Sequence, residues 1–172
     1  MRPLPLTARL LPRLDGAGRI AVLGIGSPLR GDDAAGLIAA QSLDRLRSRA
    51  LKAGKASWPD RVSVFIGETT PENLTGPLKA ANPNLVILID AADMAAPPGH
   101  VELLDPHDTT GITFSTHSLP LHVLADYLAA TARCATLIIG IQPASSALGA
   151  QVSRAVRNAA RAVAKAIATT LV

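Results

Sequence analysis

Aromatic side chains are almost absent from this chain: they make up 2% of its 172 residues, with one Trp, one Tyr and two Phe. The stacking platforms that hold single-stranded nucleic acid therefore cannot be built here. The single cysteine, Cys134, cannot form an internal disulfide bond, which fits a reducing cytosol. No run of about 18 apolar residues occurs, so a membrane-spanning helix is not expected. We expect a cytoplasmic protein with no nucleic-acid or membrane partner.

Apolar residues are nonetheless abundant, at 48%, which excludes a wholly disordered chain and leaves Ala, Val, Ile and Leu to build the core. Charge is segregated, because residues 1–61, 62–132 and 133–172 carry net charges of +6, −7 and +5. The basic residues fall at a helix end and on a solvated helix face, so they do not require a nucleic-acid partner. The acidic middle third also holds all four histidines. The net charge of +4 is therefore a poor guide to function, and a local acidic pocket for a cation is expected.

Prolines and arginines, three of each, lie in the first 18 residues, which are expected to form a poorly ordered N-terminal extension to a single domain over residues 19–172. From residue 19, short apolar runs alternate with amphipathic stretches. Strands are predicted at 20–25, 61–66, 85–89, 100–104 and 136–141, and helices at 34–49, from Thr70, at 119–130 with Ser118 as N-cap, and at 151–168. This alternation predicts a three-layer α/β fold around a mainly parallel sheet.

Acidic residues follow two of the predicted strands. Asp32 and Asp33 lie in the loop after the first strand, and Asp90 follows the five apolar residues of the third. His117 lies in the loop that leads to the helix before the last strand. Ligands bind beyond the carboxyl ends of strands in such sheets, so two carboxylates and an imidazole could meet there. Such a trio suits a divalent metal and leaves coordination positions open for a substrate.

Each of these residues also has a purely structural interpretation. Asp32 or Asp33 could cap the following helix, and His117 could be an ordinary hydrogen-bonded loop histidine. Asp90 is harder to explain without a function, because a carboxylate at the end of a buried strand needs a partner. Cys134 is expected to be a small buried apolar residue. The other histidines are expected to be solvated: His100, His107 and His122.

Several familiar catalytic motifs are missing. The Gly24-x-Gly26 segment lacks the third glycine of the dinucleotide-binding fingerprint, because Leu29 occupies that position. Neither G-x-S-x-G nor H-E-x-x-H occurs, which removes the usual signatures of serine hydrolases and zinc proteases.

Separated segments of the chain nevertheless form a specific series: VLGIG (22–26) with GDD (31–33), TPEN (70–73), IDAADM (89–94), STHSLPL (115–121) and GIQP (140–143). In this order they resemble the motifs of the hydrogenase maturation endopeptidases. The likeness is closest to the type that processes the large subunit of hydrogenase 3, the hydrogenase of formate hydrogenlyase. It covers about residues 19–143.

The resemblance implies an aspartic-type protease that removes the C-terminal extension of a nickel-iron hydrogenase large-subunit precursor after nickel insertion. The precursor is the expected partner. Nickel, contributed by or shared with the precursor, is the expected cofactor and recognition signal, and other divalent cations could substitute for it. The resemblance assigns Asp33, Asp90 and His117 as catalytic and metal-binding residues, the same three that the strand-end argument selects. It also implies a five-stranded phosphorylase/hydrolase-like sheet with one antiparallel strand, for which the short fourth strand is the candidate.

Two positions depart from the family pattern: Ser27 stands where Asn is common, and Ala34-Ala35 replaces a Gly-containing pair. Two other functions stay open at this point. One is a non-catalytic nickel-checking or large-subunit-binding factor, and the other is an unrelated small hydrolase or nucleotide binder on the same fold. The sequence is silent on oligomeric state, for which a monomer is the default expectation, and on which carboxylate acts as base or nucleophile.

Overall fold

The computed structural model describes residues 4–54, 57–114 and 119–172, in which six strands alternate with five helices. The strands are β1 (Ile20–Ile25), β2 (Val62–Glu68), β3 (Leu85–Asp93), β4 (Val101–Leu104), β5 (Thr113–Phe114) and β6 (Ala135–Ile141). The helices are α1 (Leu6–Leu14), α2 (Ala35–Ala53), α3 (Thr75–Ala80), α4 (Leu121–Ala132) and α5 (Arg154–Thr170). Short 3₁₀ turns precede α2, β2 and α3, at Gly31–Ala34, Trp58–Arg61 and Pro71–Leu74.

The main sheet has the strand order β2-β1-β3-β6-β4. Strands β2, β1, β3 and β6 are parallel, and β4 runs antiparallel to β6 at the edge. The predicted five-stranded, mainly parallel sheet is thus confirmed, and its antiparallel strand is the short fourth one. The two-residue strand β5 pairs with the end of β3 and was not predicted, because two residues carry no detectable periodicity.

Side chains of successive strand residues point to opposite faces of the sheet and build two separate cores. In β1, Ile20 and Val22 belong to the core that α1, α2 and α5 cover, whereas Ala21 and Leu23 belong to the core under α3 and α4. Both faces of the sheet are therefore covered by helices, which gives the predicted three layers.

The N-terminal segment differs from the poorly ordered extension expected from the sequence, because residues 6–14 form α1. Leu10 and Leu14 are 0% and 3% exposed and pack into the core. Burial of two leucines contributes about 1.5–3 kcal/mol each, which offsets the roughly 3 kcal/mol that a proline inside a helix costs, here at Pro12. Arg9 also ties the helix to β4 through an ion pair with Glu102.

Several predicted element boundaries shift in the structure. Strand β3 continues past residue 89 to Asp93, because its last two residues pair with β5. Helix α4 begins at Leu121 after Pro120, and the predicted N-cap Ser118 lies outside the described residues. Helix α5 begins after Ser153, whose Oγ accepts a hydrogen bond from the Val156 N–H at 3.3 Å. No helix in the described ranges is both long enough and apolar enough to cross a bilayer.

Candidate active site

Two of the three predicted site residues, Asp33 and Asp90, lie fully buried at the carboxyl edge of the sheet, each 0% exposed. Asp33 belongs to the 3₁₀ turn between β1 and α2, and Asp90 to β3. Strands β1 and β3 are parallel neighbours, with Gly24 opposite Ile89. The turn after β1 and the residue after Ile89 therefore meet at the same edge.

Gly36 controls how closely the turn approaches this edge. A Cβ atom at this position would collide with the carbonyl oxygens of Ile25, the last residue of β1, and of Ile89, which precedes Asp90 in β3. The first turn of α2 can therefore lie directly on the backbone of β1 and β3 only because residue 36 has no side chain. Three residues earlier in the chain, Asp33 is held beside the strand end that carries Asp90. The family pattern has a glycine in the pair at positions 34 and 35, where this chain has Ala34-Ala35. In this chain the glycine comes one position later, at Gly36.

The loop after β1 wraps closely around Asp33. Its carboxylate Oδ2 accepts a hydrogen bond of 2.7 Å from the backbone N–H of Ser27. Gly26 has a φ of +136°, and a Cβ there would overlap the carbonyl oxygen of Asp33. The hydroxyl of Ser27 accepts from the N–H of Leu29 at 3.3 Å, a local turn that an Asn side chain also forms. The serine at this position therefore preserves the loop, because the contact with Asp33 uses only its backbone.

Asp90 accepts a hydrogen bond from its own strand and lies close to the pairing of β3 with β5. Its Oδ1 accepts from the N–H of Ala91 at 2.8 Å. Two residues further on, Ala92 pairs with Phe114, the last residue of β5. His117, the third predicted site residue, lies in segment 115–118, outside the described residues, so its assignment stays a prediction.

Asp32, the neighbour of Asp33, has a structural role that differs from a cap of its own helix. The carboxylate is 1% exposed and binds three backbone N–H groups of the connection between β6 and α5. Oδ1 accepts from Ser153 at 2.6 Å, while Oδ2 accepts from Ala144 at 2.7 Å and from Ser145 at 3.4 Å. This residue therefore anchors residues 142–153 beside the candidate site.

Gln142 joins the ends of β3 and β6. Its Oε1 accepts from the N–H groups of Met94 at 2.7 Å and Ala96 at 3.3 Å, and its Nε2 donates to Asp93 Oδ1 at 3.1 Å. The hydrogen bonds from Ala95 N–H and from Gln142 lower the pKa of the exposed Asp93 carboxyl. Asp93 is thus a turn residue that also braces the site. Sequence reasoning assigned no role to Gln142, although it lies in the GIQP motif that could have singled it out.

A cavity of about 370 Å³ opens at this edge of the sheet. It is lined by Asp93, Thr113 and Gln142 together with residues 143–146 of the loop that Asp32 anchors. The lining is rich in hydroxyl, amide and carboxylate groups, which can pair with the N–H and C=O groups of an extended polypeptide.

The remaining candidate residues lie elsewhere. The exposed His100 and His107 each lie 3.3 Å from a carboxylate, Glu102 and Asp126 respectively, and His122 is also exposed. Cys134 is buried, and burial raises the pKa of its thiol. Among the described residues, which do not include His117, no three His, Cys, Asp or Glu side chains are grouped so that they could hold a metal ion.

Comparison with known proteins decides the family. Residues 48–170 match a family described as hydrogenase maturation protease. The chain belongs to this family. It is 30% identical over 123 residues to the hydrogenase 3 maturation protease of Escherichia coli K12, with 71% of each chain covered. The chain is therefore a protease, as the motif series indicated.

Solved structures of relatives confirm the architecture. The [NiFe] hydrogenase maturation protease HycI from Thermococcus kodakarensis KOD1 superposes with a TM-score of 0.82 at 31% identity, over 95% of this chain and 98% of that one. The hydrogenase maturating endopeptidase HybD from E. coli gives a TM-score of 0.69 at 24% identity, over 89% and 91% of the two chains, and supports the fold alone. The protease thus shares the fold of its T. kodakarensis relative over 95% of its length.

Proposed function

We propose that this protease removes the C-terminal extension from the precursor of a nickel-iron hydrogenase large subunit after nickel has been inserted. Membership of the hydrogenase maturation protease family supports this function, as does the likeness to a T. kodakarensis relative named for [NiFe] hydrogenase. The single cysteine, which leaves no internal disulfide bond to form, supports action in the reducing cytoplasm.

In this proposal Asp33, Asp90 and His117 bind the nickel that the precursor carries. The observation that supports it most is that two fully buried aspartates, from different elements, both lie at the carboxyl edge of the sheet. Buried carboxylates are costly unless partners or a cation compensate them. Strand β5 brings the chain to Ala92 and ends at Phe114, three positions before His117 in the sequence. Carboxylate oxygen and imidazole nitrogen form a suitable donor set for nickel.

The nickel belongs to the substrate, so binding it would position the scissile bond. Ligation by the protease fixes the precursor relative to the attacking water, an effect of orientation. The cation also polarises a bound carbonyl or water. Hydrolysis then adds hydroxide to the carbonyl carbon and a proton to the departing amine. The polar cavity along Asp93, Gln142 and residues 143–146 would hold the chain beside the scissile bond.

A processing assay tests the proposal. Nickel-loaded and nickel-free precursors are incubated with the protease, and the loss of the C-terminal peptide is followed by mass spectrometry. We expect cleavage of the nickel-loaded precursor only. D33N and D90N should lower the rate at least 100-fold, the typical loss when a group acting in catalysis is removed. D60N is the matched control, because Asp60 is exposed and precedes the amino end of β2.

The outcomes separate the open alternatives. Binding of the nickel-loaded precursor without cleavage would favour a non-catalytic checking factor. Absence of both binding and cleavage with a cognate precursor would favour another hydrolase on the same fold. Full activity of D33N or D90N would remove that residue from the proposed site.

A further inference from the structure

Three arginines converge on a cleft away from the candidate active site. The cleft has a volume of about 240 Å³ and lies between α2 and α5. Helix α2 contributes Ile38, Gln41, Ser42 and Arg45, and α5 contributes Arg157 and Arg161. These positions are three or four residues apart on each helix, so each set forms one continuous stripe along its helix.

The guanidinium groups of this cleft have no acidic partner among the described residues. Among the residues that the structure describes, Arg45 and Arg161 make no ion pair or hydrogen bond, and Arg157 donates only to the carbonyl oxygen of Val152, at 3.2 Å. Other arginines nearby are paired: Arg47, on α2 as well, lies 3.6 Å from Asp44 and donates to a backbone carbonyl. No carboxylate lines the cleft, and residues 133–172 contain no Asp or Glu.

The cleft fits acidic side chains of a protein better than one small anion. Its volume corresponds to roughly eight water molecules at ~30 Å³ each, which leaves room for more than one carboxylate side chain. Ile38 adds an apolar contact, and Gln41 and Ser42 add neutral donors. A guanidinium group binds a carboxylate through two parallel N–H bonds.

The cleft also lies within reach of a protein that occupies the candidate site. Helices α2 and α5 both begin at that site, because α2 follows Asp33 and the N-cap of α5, Ser153, is bonded to Asp32. Arg45 is ten residues along α2, about 15 Å from its start at 1.5 Å per residue. A standard interface of about 800 Å² per partner, taken as a disc, has a radius of roughly 16 Å. An interface centred on the candidate site would therefore extend to the cleft.

We propose that the cleft between α2 and α5 is a docking site for an acidic segment on the surface of the large-subunit precursor, an inference that rests on the proposed function. Arg45, Arg157 and Arg161 bind carboxylates of that segment and hold the precursor while its C-terminal end occupies the candidate site. Docking of this kind raises affinity and association rate but not the rate of the chemical step, and salt weakens it.

Matched double variants on one helix test this inference. R157A/R161A removes two charges from the cleft, and R154A/K165A removes two charges from exposed positions of the same helix that do not line it. Alanine is the best helix former, so both variants should fold. For the nickel-loaded precursor we expect KM to rise roughly tenfold in R157A/R161A, with kcat unchanged, and less than twofold in R154A/K165A. The salt dependence of KM should weaken in the first variant only.

Three outcomes would overturn the inference. Equal KM values in wild type and both variants would show that the cleft does not bind the precursor. An equal rise in both variants would indicate a nonspecific effect of net charge. If inorganic phosphate stabilises the wild type against heat, and only R157A/R161A loses that effect while its KM is unchanged, the cleft binds small anions instead. Failure of the wild type to cleave any precursor refutes the proposed function, and binding of the precursor to the same variants then tests the docking site separately.

Discussion

Asp32 and Asp33 are adjacent in the turn after β1, but replacing each with asparagine should have a different effect. One substitution should mainly lower stability, and the other should mainly remove activity. D32N should destabilise the fold and leave processing measurable well below its melting temperature. D33N should abolish processing. The reason is that, within the described part of the chain, Asp32 accepts hydrogen bonds from backbone N–H groups of residues 144–153, whereas Asp33 is proposed to bind the nickel of the substrate.

The size of the effect at Asp32 follows from its hydrogen bonds. Its two oxygens accept the short bonds of 2.6 Å from Ser153 and 2.7 Å from Ala144, one each. An Asn side chain has one oxygen and one NH₂ group, so in either orientation a backbone N–H faces another donor. Loss of one charge-assisted bond and of the partner of a buried N–H costs about 2–4 kcal/mol.

Urea unfolding measures the stability lost in D32N. The only tryptophan of the chain, Trp58, is 4% exposed and should report global unfolding by its fluorescence. With a slope of about 2–3 kcal/mol per molar urea, D32N should lower the midpoint by roughly 1 M. The reasoning is refuted if D32N unfolds within about 0.5 kcal/mol of the wild type, the range of ordinary surface substitutions. It is also refuted if D33N processes the precursor at the wild-type rate.

Three further substitutions or reagents probe contacts described above. G36A should abolish processing and lower stability by about 1–3 kcal/mol despite the better helix propensity of Ala, because its Cβ meets two backbone carbonyls; wild-type activity would contradict the close approach. Lys79 donates to the hydroxyl of Tyr127 at 3.0 Å and lowers its pKa, so K79M should move the absorbance titration of this single tyrosine to higher pH, and an unchanged titration would refute the contact. Burial raises the pKa of the Cys134 thiol, so alkylation at pH 8 should be slow in the native state and fast in denaturant; equal rates would contradict this.

Periodicity and strand-end logic were enough to predict the layers, the order of the main elements, and the position of Asp33 and Asp90. Asp90 directly follows an apolar run and Asp33 lies in the loop after another, so their place at the carboxyl edge needs only the rule for parallel sheets. Helix α1 was not predicted because Pro5 and Pro12 interrupt the amphipathic pattern of the segment. Strand β5 was missed because it consists of two residues that pair only through the extended end of β3.

Contacts between distant segments could not be predicted from the sequence. Asp32 and its partners Ala144 and Ser153 are 112 and 121 residues apart, and Gln142 is 48 residues from Met94. A buried carboxylate or amide must find donors, but no local pattern states which backbone N–H groups will be near it. The sequence suggested that Asp32 could cap the following helix, whereas in the structure its partners lie in the loop after β6.

The different roles of Asp32 and Asp33 follow from the geometry of the turn that holds them. A 3₁₀ turn has 3.0 residues per turn, so neighbouring side chains leave the axis about 120° apart. One carboxylate can therefore face the connection between β6 and α5 while the next faces the loop after β1 and the edge of the sheet. An α-helical or extended backbone would change that angle. We infer that the two aspartates act as a unit: the first fixes the loop that lines the cavity, and the second is held at the proposed nickel site by the same turn.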